Sequence, residues 1–138
     1  DKSLKYELPY KNGKFDGKAI EYYPSGKIES KSFYVNGKLN GKSIEYYKNG
    51  NLKSDGNYKD GKRDGLTKTY FEDGTIRSEI YYKNGELDGL AKEYYGNGQV
   101  FIQENYKNGE LDGESLNFYK DGKLKGRELY KNGKLIKN

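Results

Sequence analysis

An aromatic residue, any residue, then Asn, Asp or Ser, then Gly recurs eleven times in 138 residues, the copies alternately 13 and 11 residues apart. The aromatics that open them are Tyr10, Tyr23, Tyr34, Tyr47, Tyr58, Phe71, Tyr82, Tyr95, Tyr106, Tyr119 and Tyr130. Two copies make a unit of 24 residues with no insertion anywhere, so one architecture has to serve the whole chain. Numbered from the first aromatic, the full units are 10–33, 34–57, 58–81, 82–105 and 106–129. Residues 130–138 open a sixth unit, and 1–9 fit the tail of a preceding one, all within a single repeat domain.

Positions 3–4 and 16–17 of each unit carry a turn pair such as Asn36-Gly37 and Asn49-Gly50. Such pairs suit a two-residue hairpin turn with both central residues at positive φ, and the same turn is expected at both places. On that register Tyr10 faces Phe15, Tyr23 faces Ile28, Tyr34 faces Leu39 and Tyr47 faces Leu52. Later units repeat the scheme, except that Tyr58 meets Arg63, whose aliphatic stem lies along the ring. Period-two alternation then collects positions 1, 6, 8, 10, 12, 14, 19, 21 and 23 on one face, the face expected to be buried. Gly at position 8 and Ala, Ser or Thr at position 10 leave room there for rings, and position 8 suits a bulge or bend. Sixteen of the 19 glycines fall at the turns or at position 8, which explains the Gly content without a phosphate-binding loop.

Only 32% of the residues are hydrophobic and 34% are charged, too little apolar material for a compact core. Disorder is excluded because aromatics make up 15% and recur in register. Helix is excluded because Gly recurs every few residues and no apolar period of 3.6 survives. One unit buries too little to fold alone, so stacking must supply the rest. The expected fold is all-β: an elongated, twisted antiparallel meander of stacked β-hairpin repeats, an open-ended, solenoid-like array.

Units such as Y-K-N-G-E-L-D-G-L-A-K-E-Y-Y-G-N-G-Q-V, Tyr82 to Val100, resemble the MORN (membrane occupation and recognition nexus) repeat in its bacterial variant, over nearly the whole chain. The shared features are the N-G-x-L-x-G core, the Tyr-Tyr pair and the following x-N-G-x-aliphatic. The resemblance implies a hairpin array, protein or lipid recognition and, in some bacterial members, an antitoxin role. The chain departs from the eukaryotic form in having Ala, Ser or Thr at position 10 and no Trp. A second likeness, to hairpin repeats that bind cell-wall choline or glucan, also meets the lack of Trp.

The 26 basic and 21 acidic residues alternate rather than segregate, which favours solubility and argues against a nucleic-acid partner. With no His and no Cys, a Ser-His or Cys-His nucleophile and the usual zinc ligands are excluded, and no metal or cofactor is expected. Glu21, Glu45 and Glu93 share position 12 with Thr69 and Asn117, on the ring-bearing face. One unit apart and replaced in two units, these carboxylates suit salt bridging or the lip of a shallow concave face rather than a glycosidase pair.

Position 13 is an aromatic column, Tyr22, Tyr46, Tyr70, Tyr94 and Phe118, on the otherwise charged opposite face. It has two readings: a partner-binding surface, or flat rings that cover the backbone of a sheet one layer thick. The expected function is non-enzymatic binding or scaffolding with a protein partner, in an antitoxin-like or cell-surface setting. Glycan or cell-wall binding through clefts between units is the alternative, and membrane-lipid attachment a third, disfavoured by the charged face. End-to-end self-association through open edges is a further expectation. No leader is visible, and a start at Asp1 without any Met suits a mature or trimmed chain, so export or the cell surface is favoured slightly over the cytoplasm.

Overall fold

The computed structural model describes residues 10–138; the partial unit expected at 1–9 lies outside the described residues. Fifteen strands follow one another and no helix occurs among the described residues. A short pair, Tyr10–Lys11 with Lys14–Phe15, precedes an antiparallel 13-stranded sheet that runs from Gly17–Tyr22 to Lys134–Lys137 without closing. Neighbours in the chain are neighbours in the sheet, and the two extra short strands, Lys38–Leu39 and Lys62–Arg63, continue the same meander. The all-β meander of 24-residue repeats is therefore the fold.

The turn at positions 3–4 is the expected one. Asn36 and Gly37 have φ of 49° and 79°, and Tyr34 pairs with Leu39 across them. Asp60 takes the same conformation at φ 50°, because its short polar side chain tolerates the left-handed region. The turn at positions 16–17 differs from the expectation. There only the Gly has positive φ, 91° at Gly50, and the loop holds three residues. The Gly50 N–H donates to the Tyr47 carbonyl at 2.9 Å, and the Tyr47 N–H donates to the Asn51 carbonyl at 2.8 Å. Asn49 Oδ1 accepts from the Asn51 N–H at 2.8 Å, and Asn49 itself does not take positive φ.

The longer loop corrects the register on that side of every unit. Ile28 pairs with Tyr22, not Tyr23; Leu52 with Tyr46, Ile76 with Tyr70, Val100 with Tyr94 and Leu124 with Phe118. A bulge follows at position 20 and restores the phase, so that Ser54 again lies opposite Glu45. Position 20 therefore moves to the ring-bearing face. Lys53 Nζ sits 5.7 Å from the Tyr47 ring, Arg77 stands over Phe71 at 5.9 Å, and Phe101 meets Tyr95 edge-on at 5.1 Å.

Position 8 carries the expected irregularity. Tyr82 pairs with Leu87 and Ile80 with Ala91, so two residues of one strand span four of the other. Gly89 absorbs the excess at φ 104°, where a Cβ would lie 3.4 Å from the Tyr81 Cβ.

Units are tied edge to edge. From Gly37 onward each position-4 amide donates to the position-6 carbonyl of the unit before, as Gly37 does to Phe15 at 2.7 Å and Gly85 to Arg63 at 2.8 Å. On the far side the position-14 hydroxyl reaches forward, Tyr47 Oη donating to the Tyr70 carbonyl at 2.6 Å and Tyr95 Oη to the Phe118 carbonyl at 2.8 Å. Neither face becomes a core. Ala19 is the one apolar side chain buried among the described residues, and the ring-bearing face, expected to be covered, stays half open. With one layer there is no second sheet or helix to cover it.

Candidate functional site

Cross-strand rungs align the ring-bearing face into columns that run along the array, across the strands. At one margin, positions 1 and 6 alternate: Phe15 lies between Tyr10 and Tyr34 at 4.9 and 5.8 Å, and the Arg63 guanidinium lies between Tyr58 and Tyr82 at 5.7 and 5.3 Å. At the other margin stand the rings of position 14 with their position-20 neighbours. Between the two ridges many residues are small, with Gly at position 8, Thr67 and Ser115 buried at position 10, and Ser78 buried at position 21.

The floor nearest the position-14 ridge is an unbroken ladder. Glu21 pairs with Ser30, Ser30 with Glu45, Glu45 with Ser54, Ser54 with Thr69, Thr69 with Ser78, and Ser78 with Glu93. Thr69 and Ser78 share a hydroxyl hydrogen bond of 2.5 Å. The carboxylates of Glu45 and Glu93 are exposed, and no hydrogen bond or ion pair holds either among the described residues. The cations that line the same hollow, Lys53, Arg63 and Arg77, each stand over a ring: Lys53 over Tyr47, Arg63 over Tyr58 and Tyr82, and Arg77 over Phe71. Three adjoining hollows of about 120, 360 and 490 Å³, all bordered by Lys53, form one shallow trough. The smallest is edged by Glu21, Glu29 and Glu45, and the largest is the cleft between the rings of Tyr23 and Tyr47.

The trough is negative at its N-terminal end. Burial and then the carboxylates of Glu29 and Glu45 push the Tyr23 phenol above its ordinary pKa. Further along the same face, burial and a hydrogen bond to Glu104 push Tyr106 up to about 12. Among the described residues no group of three or more carboxylates stands ready to hold a metal. The arrangement can accept hydrogen bonds, pair with cations and stack on flat or ring-shaped groups.

The position-13 column lies on the other face. Tyr22, Tyr46, Tyr70, Tyr94 and Phe118 are all half-buried, each against its aliphatic rung partner. Lys31 Nζ stands 5.9 Å over the Tyr46 ring, and Tyr94 Oη donates to Glu79 at 2.7 Å. Burial, then that hydrogen bond and charge, push Tyr94 up to about 12. The column thus has the contacts of sheet cover. Tyr46 and Tyr70 also border the trough. Beside the column a ladder of alternating charge, Asp55, Lys68, Glu79 and Lys92, joins successive strands.

The trough with its two walls was only partly visible in the sequence. Position 12 placed the carboxylates on the right face, but position 20 lay on the wrong one, which hid Lys53 and Arg77. Pro24 was the available signal. A two-residue turn at Ser25-Gly26 would need an N–H from Pro24 to close the hairpin, and proline has none.

An open hairpin array with one continuous trough defines a class of repeat proteins that present an extended surface. Residues 15–36, 39–60, 63–84, 87–108 and 111–136 match the MORN repeat variant, so the chain belongs to that family. The matched stretches begin at Phe15, Leu39, Arg63, Leu87 and Leu111, one period apart and in the phase of position 6. Membership points to a repeat-based binding or scaffold role. No curated protein matches the chain. Among solved structures, a chain in "Crystal structure of GtfA/B complex bound to UDP and GlcNAc" is 17% identical with a TM-score of 0.31; the match covers 96% of this chain and 24% of that one. This chain thus spans about a quarter of its length, and a score so low carries no argument about fold or function.

Proposed function

We propose that the chain is a non-enzymatic binding scaffold that holds a protein partner along the ring-bearing face. The observation that carries this reading is the exposed, unpaired pair Glu45 and Glu93 on a floor between two ring ridges. A structural salt bridge would have used those charges, whereas here the neighbouring cations sit on rings. An antitoxin-like or cell-surface interaction protein is the setting proposed for it.

The test immobilises the chain and compares capture of partner proteins by the parent, by Glu45→Gln with Glu93→Gln, and by Lys68→Gln with Lys92→Gln on the other face. Loss of a reproducible partner in the first variant alone is expected. Loss in the second alone moves the site to the position-13 face. Glycan capture is the second reading, favoured by the cleft between Tyr23 and Tyr47, and binding of linear oligosaccharides that Tyr47→Ser removes would establish it. Lipid attachment has less support: among the described residues no helix is long and apolar enough to cross a membrane, and the face opposite the trough carries a charge ladder beside its rings.

A further inference from the structure

Whatever lies in the trough runs along the array, because the floor ladder crosses the strands rather than following them. Its contacts must then recur with the unit, and each unit adds two strands. At 4.7–4.9 Å per strand the rings of Tyr23, Tyr47 and Phe71, and the floor positions Glu21, Glu45 and Thr69, recur roughly every 9.6 Å. A polypeptide that places equivalent side chains on this spacing has a narrow choice of conformation. An extended strand repeats its faces roughly every 6.7 Å, and an α-helix about every 5.4 Å. Polyproline II repeats every three residues, roughly 9.3 Å.

The chemistry of the trough agrees with that choice. Polyproline II segments dock in grooves between aromatic rings, and the cleft between the successive position-14 rings of Tyr23 and Tyr47 is such a groove. The floor sets every third residue against Glu21, Glu45, Thr69 and Glu93 in turn, so cations suit the first, second and fourth of these places. Guanidinium or ammonium groups arriving there meet carboxylates that have no cation of their own at Glu45 and Glu93. The chain as a whole has a formal charge of +5, so general electrostatics would favour the opposite sign of ligand. A preference for a basic segment would therefore report on the trough itself.

We propose that the trough takes a polyproline II segment of a partner protein, laid along the array at three residues per unit, with Lys or Arg over Glu21, Glu45 and Glu93. This rests on the reading of the ring-bearing face as the partner surface. The test uses the full chain and fluorescent peptides of repeated Lys-Pro-Pro, of repeated Lys-Lys-Pro-Pro-Pro-Pro, which has the same composition in another period, and of repeated Glu-Pro-Pro. The first should bind about tenfold more tightly than the second, and the third should not bind. Glu45→Gln with Glu93→Gln should weaken the first about tenfold, whereas Lys68→Gln with Lys92→Gln should leave it unchanged. Equal affinity for the two lysine peptides, or preference for the glutamate peptide, overturns the inference. If those peptides fail while the carboxylate variant still loses the captured partner, the inference falls and the partner surface stands. If the carboxylate variant loses neither, both fall. A linear β-1,4-linked oligosaccharide bound in the trough and lost in Tyr47→Ser would reassign it to glycan.

Discussion

Tyr47 and Phe71 occupy the same place in successive units, and the one oxygen between them is a hydrogen bond. Tyr23, Tyr47 and Tyr95 each donate to a carbonyl one unit ahead, at 2.5, 2.6 and 2.8 Å, while Phe71 has nothing to donate to the Tyr94 carbonyl. Phe71→Tyr should supply the missing rung and stabilise the chain by about 1 kcal/mol, and Tyr47→Phe should cost about as much, both read from urea unfolding. The two tyrosines pushed up to about 12, Tyr94 and Tyr106, make a prediction about pH. Their neutral form is favoured in the folded chain, so the stability they contribute is complete below the ordinary tyrosine pKa of 10.0 and is lost as pH rises through about 12. A phenolate absorbance titration should show Tyr94 and Tyr106 among the last tyrosines to ionise. Glu79→Gln should draw Tyr94 down only partly, since burial is the larger cause.

The two turns of each unit look alike in sequence and are built differently. At positions 3–4 the Asn is needed for its tolerance of positive φ, 49° at Asn84. At positions 16–17 it is needed for its side chain. Asn97 Oδ1 accepts from the Gln99 N–H at 2.9 Å, and Nδ2 donates to the Lys120 carbonyl of the next unit at 2.8 Å. Asn84→Gly should therefore be nearly neutral, whereas Asn97→Gly should cost about 1 kcal/mol. Equal effects in urea unfolding would mean that the second turn does not depend on its side chain. The same contrast explains what was legible in the sequence. The Tyr34 and Leu39 pairing, the bend at Gly89 and the face of Glu45 and Glu93 followed from Asn-Gly spacing and period-two alternation. The three-residue loop did not, because Asn-Gly is common to both turns and only Pro24, in one unit, contradicts the shorter one. That single residue of slip misplaced Lys53 and Arg77, and so one wall of the trough.

At the scale of the molecule, a sheet one layer thick has no centre, and each unit meets only the units before and after it. Removal of residues 58–81 should leave a folded array. Asn57 would run into Tyr82, Leu39 would rest between Tyr34 and Tyr82 as Arg63 now rests between Tyr58 and Tyr82, and the Tyr47 hydroxyl would meet the Tyr94 carbonyl in place of that of Tyr70. The buried Thr67 hydroxyl, which has no hydrogen-bond partner, would leave with the deleted unit. Unfolding should stay cooperative, with a denaturant slope smaller by about a fifth, because the surface exposed on unfolding scales with length. Removal of residues 58–69 alone should behave quite differently. It joins a strand that enters at position 24 to one that leaves at position 13, so the bend at Gly65 is lost and the chain next reverses at the three-residue loop of residues 72–74, on the margin where the two-residue turns belong. Loss of the cooperative transition in the half-unit deletion, with retention in the whole-unit deletion, is the expected pair of results in far-UV-monitored urea unfolding. A cooperative half-unit deletion would mean that the two hairpins of a unit are interchangeable, which their different turns forbid.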